Sequence, residues 1–302
     1  MKTKISSITP NIIVGIGELL WDKLPEGKKL GGAPANFAYH VSQLGLPSCA
    51  ISAIGNDSDG DEILAEIGTK NINTLISKVD FPTGTVDVTM SGNGIPSYKI
   101  NTNVAWDNIP FNDKTAEIAS NTIAVCFGSL AQRSKTSRNT IAQFINAMPN
   151  SVETLKIFDI NLRQNFYSKE IITESLTLCN ILKINDSELD IVSDLYQLSG
   201  TVSDRCHKLI RNHNLHILIL TCGENGSYVF SSDGTHSFIT TPKVNVADTV
   251  GAGDSFTAAF TAATLRGASI AEAHQVAVNI SAYVCTQQGA TPRLPKEFKL
   301  NI

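Results

Sequence analysis

Residues 122–127 (TIAVCF), 155–159 (LKIFD), 181–184 (ILKI) and 215–221 (LHILILT) form four short apolar runs, each bounded by polar residues or glycine. A strand with one wet face alternates apolar and polar residues. Unbroken runs of this length read instead as strands buried on both faces, the mark of a parallel sheet. The segments between them, 136–147, 169–178 and 203–213, suit crossover helices. Upstream, 11–16 and 49–54 read as further strands, and 33–44 (closing at Gly45) and 60–67 as helices. Two helical stretches, 253–265 and 270–286, finish the chain. Strands alternating with helices predict an α/β fold: a central, mostly parallel sheet flanked by helices on both faces. Ligands in such folds gather beyond the carboxyl ends of the strands.

Residues 83–90 break this pattern. Thr85, Asp87 and Thr89 alternate with Val86, Val88 and Met90, and SGNGIP and SYKI follow. The segment predicts an antiparallel hairpin. It fits either the edge of the main sheet or a small β lid built with the stretch after Asp22. Neither repeats nor Pro/Ser-rich linkers divide the chain, so we expect one domain over 1–302, with a lid from about 22–30 and 83–106.

The 302 residues are 42% hydrophobic and 17% charged, which excludes disorder. With 24 Lys and Arg against 28 Asp and Glu, the net charge of −4 lacks the basic footprint of a nucleic-acid binder. An anionic ligand must therefore meet a local site. No apolar run approaches a bilayer span. The apolar start is interrupted by Gly15, Gly17, Glu18 and Asp22 with no cleavage site after it, so we expect a cytoplasmic protein without a membrane partner. The six cysteines are scattered and form no C-x-x-C pair, and His213 and His216 have no cysteine or carboxylate cluster to join. Transition-metal chemistry is not expected.

The strongest chemical signal is Asp248-Thr249-Val250-Gly251-Ala252-Gly253-Asp254, opening a helix. Small residues at 251–253 let backbone N–H groups face outward where the helix dipole favours an anion. Asp254 sits in the first turn, placed to take a proton from a hydroxyl attacking a phosphoryl group held there. A second signal, Leu30-Gly31-Gly32-Ala33-Pro34-Ala35-Asn36, opens the first helix. Its glycines let a ligand approach the backbone, and Asn36 offers both a donor and an acceptor. Neither a Walker A loop nor a Rossmann G-x-G-x-x-G occurs, which counts against an NAD(P) enzyme.

With these two motifs in place, the chain resembles the ribokinase (PfkB-type) family of carbohydrate kinases, and within it the fructokinases. The family's GG-x-x-x-N and D-T-x-G-A-G-D motifs stand at 31–36 and 248–254. Lys183-Ile184-Asn185-Asp186-Ser187-Glu188 resembles its K-x-N-x-x-E motif, and Thr221-Cys222-Gly223-Glu224-Asn225-Gly226 its nucleotide loop. The resemblance implies a ribokinase-like fold and an ATP-dependent kinase of a small sugar, D-fructose first. A related acceptor (2-keto-3-deoxygluconate, a nucleoside or a fructose phosphate) and a non-catalytic sugar or nucleotide sensor are the alternatives.

The resemblance also assigns roles. Asp254 becomes the catalytic base and the amides of Gly251, Ala252 and Gly253 the anion hole. Asp22, Gly31, Gly32 and Asn36 become sugar contacts. Lys183, Asn185, Glu188, Thr221, Gly223, Gly226 and Asn279 fall on the nucleotide site. Glu188 would hold Mg²⁺ through water, and Asp248 would serve a K⁺ ion. Asp159-Ile160-Asn161-Leu162-Arg163 resembles the fructokinase D-x-N-x-R, making Arg163 a substrate contact. The segment 128–133, containing Gln132, resembles a fructokinase stretch near the sugar. Trp106 is expected to pack rather than react. A homodimer paired through the lid is the implied assembly.

Overall fold

The computed structural model describes residues 11–25, 27–70, 72–90 and 96–298. Among these, nine strands form one sheet: β1 (Ile12–Ile16), β4 (Ser48–Gly55), β5 (Asn73–Val79), β8 (Thr122–Phe127), β9 (Leu155–Asp159), β10 (Ile181–Asn185), β11 (Ile217–Thr221), β12 (Ser227–Ser231) and β13 (His236–Ile239). Their spatial order is β13-β12-β11-β10-β9-β8-β1-β4-β5. From β5 to β11 every pairing is parallel, while β12 and β13 join antiparallel.

The sheet buries both faces because consecutive residues of its strands serve different cores. In β1, Ile12, Val14 and Ile16 pack on one side and Ile13 on the other. The first side is covered by α3 (Asp113–Ser120), α4 (Lys135–Ala147), α5 (Lys169–Leu178), α6 (Asp186–Tyr196) and α7 (Val202–His213). The second is covered by α1 (Ala33–Gln43), α8 (Ala252–Leu265) and α9 (Ile270–Cys285). Fully burying one Ile or Phe here contributes about 1.5–3 kcal/mol. A third cluster seats α2 (Ser58–Gly68) against β4 through Ile54, Ile63 and Ile67.

A separate four-stranded sheet, ordered β3-β2-β6-β7, contains β2 (Leu20–Leu24), β3 (Gly27–Gly31), β6 (Gly84–Met90) and β7 (Pro96–Ile100). β6 and β7 are the expected antiparallel pair, with Val86 opposite Ile100. They join β2 through a parallel β2–β6 pairing and so do not extend the main sheet. Most of the SGNGIP turn lies outside the described residues. The lid range expected from sequence ran too far downstream. Residues Ala105–Asn108 form a short 3₁₀ turn rather than a strand, and Trp106 within it is fully buried. Arg133 stacks on that ring at 4.0 Å and pairs with Asp107 through Nε at 2.8 Å. The same guanidinium donates to Asn101 O at 2.6 Å, which ties the end of β7 to the main body.

Candidate active site

The parallel strands end side by side, and their carboxyl ends carry most of the residues singled out in the sequence. Asn185 ends β10 and is in register with Thr221 of β11, while Asp159 at the end of β9 is in register with Lys183. Above this edge α8 begins at Gly251, whose φ of 78° is left-handed. A Cβ there would lie 2.5 Å from Ala290 O, so only glycine makes the turn. The first i→i−4 bond of α8 runs from Ser255 N to Gly251 O at 2.8 Å. The amides of Gly253 and Asp254 precede it and remain for a ligand. Ala252 N–H is turned to Thr249 O at 3.3 Å.

Asp254 is held by the other glycine motif. Asn36 Nδ2 donates to Asp254 Oδ2 at 2.8 Å across 218 residues of sequence. Asn36 therefore orients the carboxylate through its amide. Burial pushes the Asp254 carboxyl up to about 6, with nearby Asp159 adding to the rise. Asn36, Lys183 and Arg163 work against that rise.

Lys183, Asp159 and Thr257 form a buried network beside Asp254. Lys183 Nζ pairs with Asp159 Oδ1 at 3.1 Å, and Thr257 Oγ1 donates to Asp159 Oδ2 at 3.0 Å. A Cβ on Gly253 would lie 2.9 Å from Lys183 Nζ, so the ammonium sits against the first turn of α8. Burial alone would lower the Lys183 pKa, but Asp159 and Glu188 outweigh it and keep the ammonium charged. Lys183 is thus a buried partner of Asp159 beside Gly253.

On the sugar side, Asp22 is half-buried on β2 opposite Lys29, and a Cβ on Gly31 would lie 2.6 Å from Asp22 Oδ2. Burial raises the Asp22 pKa, and Arg163 and Lys29 oppose it. Gly32 has φ 127° and presses against Glu18 O, which a Cβ would approach to 2.4 Å. Arg163 is exposed, its guanidinium bonded to its own Leu162 O at 3.2 Å. It acts electrostatically on Glu18, Asp22 and Asp254 alike. Gln132 faces inward, bonded to Gly128 O and Ser175 Oγ, and supports the fold.

On the nucleotide side, Asn185 caps α6 by accepting from Glu188 N at 2.9 Å, and Glu188 Oε2 accepts from Asn185 N at 2.9 Å. This reciprocal capping box fixes Asn185 at the start of α6 with Glu188 turned back toward it. Glu188 Oε1 also accepts from Leu162 N at 2.8 Å. Burial raises the Glu188 pKa, and Lys183 opposes it. After β11, Gly223 and Gly226 take φ values of 54° and 112°, and a Cβ on Gly226 would lie 2.6 Å from Ile239 O. Those backbone demands account for the glycines of the loop after Thr221. Asn279 is exposed on α9 and accepts from Gln275 at 2.9 Å.

Among the described residues no group of three or more His, Cys, Asp and Glu could hold a metal ion directly. The donors fit Mg²⁺ in another way. Each Glu188 oxygen accepts one N–H and keeps capacity for a metal-bound water, and Mg²⁺ retains waters while using few protein ligands. Asp248 accepts from Val250 N and Gly289 N and thereby joins the α8 entry to the turn after α9. That leaves it able to share a K⁺ ion with backbone carbonyls.

The sequence left two site residues unassigned. Asp159 was quoted only as the start of the D-x-N-x-R motif, though its place at the end of an apolar strand was a signal. Glu18 was read only as a polar interruption, yet it is 3% exposed and burial pushes its carboxyl up to about 7.

A two-faced parallel sheet, with a carboxylate and a buried ammonium beside the first turn of α8, defines a doubly wound α/β fold with its charged groups gathered at the strand ends. The chain belongs to the pfkB family of carbohydrate kinases, whose family model matches residues 26–297. It is 30% identical over 312 residues to the sugar kinase PH1459 of Pyrococcus horikoshii, covering 95% of each chain. The crystal structure of that protein in complex with ATP superposes with a TM-score of 0.76, covering 93% of this chain and 94% of the other. Identity is 25% both to an ATP-dependent 6-phosphofructokinase of Thermoanaerobacterium thermosaccharolyticum and to a fructokinase of Solanum tuberosum. These alignments cover 94% and 97% of this chain, and 90% and 95% of the relatives. No helix among the described residues is long and apolar enough to cross a membrane.

Proposed function

We propose that the protein transfers the γ-phosphoryl group of ATP to a primary hydroxyl of a small sugar, with D-fructose as the acceptor. The observation that carries this reading is the placement of Asp254. It stands in the first turn of α8, bonded by Asn36 and lying beside the Lys183–Asp159 pair.

In the ionised form Asp254 takes the proton of the attacking hydroxyl as the oxygen–phosphorus bond forms and the bond to the ADP oxygen breaks. The acceptor oxygen gains the phosphoryl group, ADP leaves, and the proton passes from Asp254 to solvent. The Gly253 and Asp254 amides and the Lys183 ammonium face the charge that develops on the phosphoryl oxygens. Such preorganised donors contribute most in a site that excludes water. Mg²⁺, when bound, neutralises charge on the nucleotide phosphates, and Glu188 and Asn185 are the residues that would hold it through water. Asp22 and the Gly31–Gly32 turn grip the sugar from the other side. Thr221, Gly223 and Gly226 cradle the nucleotide. Asn279 is assigned to the adenine end, and Asp248 to K⁺.

The β2-β3-β6-β7 sheet carries Asp22 into the cleft and serves as a lid on one kinase domain. Its pairing with the same sheet of a second subunit gives a homodimer. The setting is cytoplasmic.

Similarity to a fructokinase supports D-fructose. The equal similarity to a 6-phosphofructokinase, together with the exposed guanidinium of Arg163, favours fructose 6-phosphate as the second reading. The test is Mg·ATP turnover, with and without K⁺, against D-fructose, ribose, 2-keto-3-deoxygluconate, a nucleoside and fructose 6-phosphate. The expected result is the highest kcat/KM for D-fructose and a rise with K⁺. A higher kcat/KM for another acceptor would transfer the assignment to it, and ATP binding without turnover on any of them would return the protein to the sensor class.

A further inference from the structure

We propose that Glu18 is a further residue of the acceptor site, where its free carboxyl oxygen takes a hydrogen bond from a hydroxyl of an uncharged, polyhydroxylated acceptor. It thereby disfavours acceptors that carry a carboxylate or phosphate at that position. This rests on the kinase reading above.

Glu18 lies just past the end of β1, between the Gly31–Gly32 turn and the base. Its main-chain oxygen is the atom that a Cβ on Gly32 would strike, and the backbone amides of Glu18 itself and of Ala33 favour its charged form against burial. Its side-chain oxygen Oε2 is buried and has no hydrogen-bond partner in the structure. A carboxyl oxygen removed from water without a donor is costly, and the cost is recovered when a ligand brings one. The charged groups acting on Glu18 are Asp254 and Arg163, both in the cleft, and the Cys126 thiol senses Glu18, Asp159, Asp254 and Lys183 together.

Charge decides which ligand suits this oxygen. Glu18, Asp22, Asp159 and Asp254 supply four carboxyl groups, against Lys183 and Arg163. Lys183 is already paired with Asp159 and Lys29 stands opposite Asp22, which leaves the exposed Arg163 as the cation acting on both Glu18 and Asp254. A second anion placed beside Glu18 would be repelled, whereas a sugar hydroxyl donates to it.

The test compares wild type with Glu18→Gln and Glu18→Asp. Each is assayed with D-fructose and ribose, and with fructose 6-phosphate and 2-keto-3-deoxygluconate. Titration with a fluorescent ATP analogue and a melting curve confirm that each variant is folded. Gln keeps the shape and one acceptor oxygen but loses the charge; Asp keeps the charge but withdraws it by one methylene. For Glu18→Gln we expect KM for the preferred neutral acceptor to rise at least about tenfold. The ratio of kcat/KM for anionic over neutral acceptors should rise by a similar factor. Glu18→Asp should raise KM while preserving the preference for neutral acceptors. Wild-type KM and selectivity in Glu18→Gln would show that Glu18 makes no acceptor contact and would overturn the inference alone, as would a wild type that prefers an anionic acceptor. A wild type that phosphorylates no acceptor would overturn the kinase reading, and the inference with it.

Discussion

Asp254→Asn is expected to lower kcat by about 10³-fold or more while leaving the protein folded and able to bind ATP. A positioned general base contributes about 10²–10⁴ in rate, and here the same side chain also stands beside the phosphoryl site. Asparagine keeps the shape and can still accept from Asn36 Nδ2, so the loss is of proton acceptance rather than of architecture. The same variant should be more stable than wild type at alkaline pH. The folded-state pKa of Asp254 is raised by burial from 3.8 to about 6. A raised pKa means that the folded protein binds this proton more tightly than the unfolded chain. Its contribution is fully present below about pH 3.8 and is lost as pH rises through about 6, amounting to roughly 3 kcal/mol. Asparagine has no such loss. Urea denaturation should therefore show the variant gaining over wild type between pH 4 and pH 7, with no further gain above. A variant that turned over at nearly the wild-type rate would remove Asp254 from the base position.

The second large effect is expected from Lys183→Met. It leaves Asp159 buried without its cation, and breaking a buried pair by removing one partner costs about 3–5 kcal/mol. It also removes the positive charge beside Gly253, so activity should fall with stability. The double variant Lys183→Met/Asp159→Asn separates the two effects. Neutralising both partners should recover much of the lost stability, because no uncompensated charge remains. It should not recover kcat, because the ammonium against the first turn of α8 is still missing. Recovery of both together would mean that Lys183 serves the fold alone.

Much of this architecture was legible because the relevant signals are local. The runs at 122–127 and 155–159 became β8 and β9 with the same bounds, since unbroken apolar runs have no other stable place than a two-sided sheet. The helix at 169–178 was also found with its observed bounds, as a Ser168 cap and an apolar face both lie within one short window. β5, β12 and β13 were not assigned. The half-buried residues of β5 and β13 lack a clean pattern because these strands lie at the edges of the sheet. The residues of both glycine motifs were legible, but their connection was not. That Asn36 orients Asp254, rather than reaching only for sugar, depends on a contact spanning 218 residues. Glu18 and Asp159 were passed over for the same reason. An isolated acid in an apolar stretch looks like an interruption until the strands bring it beside other charges.

The most direct measurement is kcat/KM for the preferred sugar acceptor as a function of pH, with saturating Mg·ATP, in wild type and in Asp254→Asn. If the carboxylate of Asp254 accepts the proton, wild-type kcat/KM should fall about tenfold per unit below an apparent pKa near 6, and the variant's small residual rate should lose that limb. A wild-type profile flat through pH 6, or a variant retaining both the limb and the rate, would contradict the account.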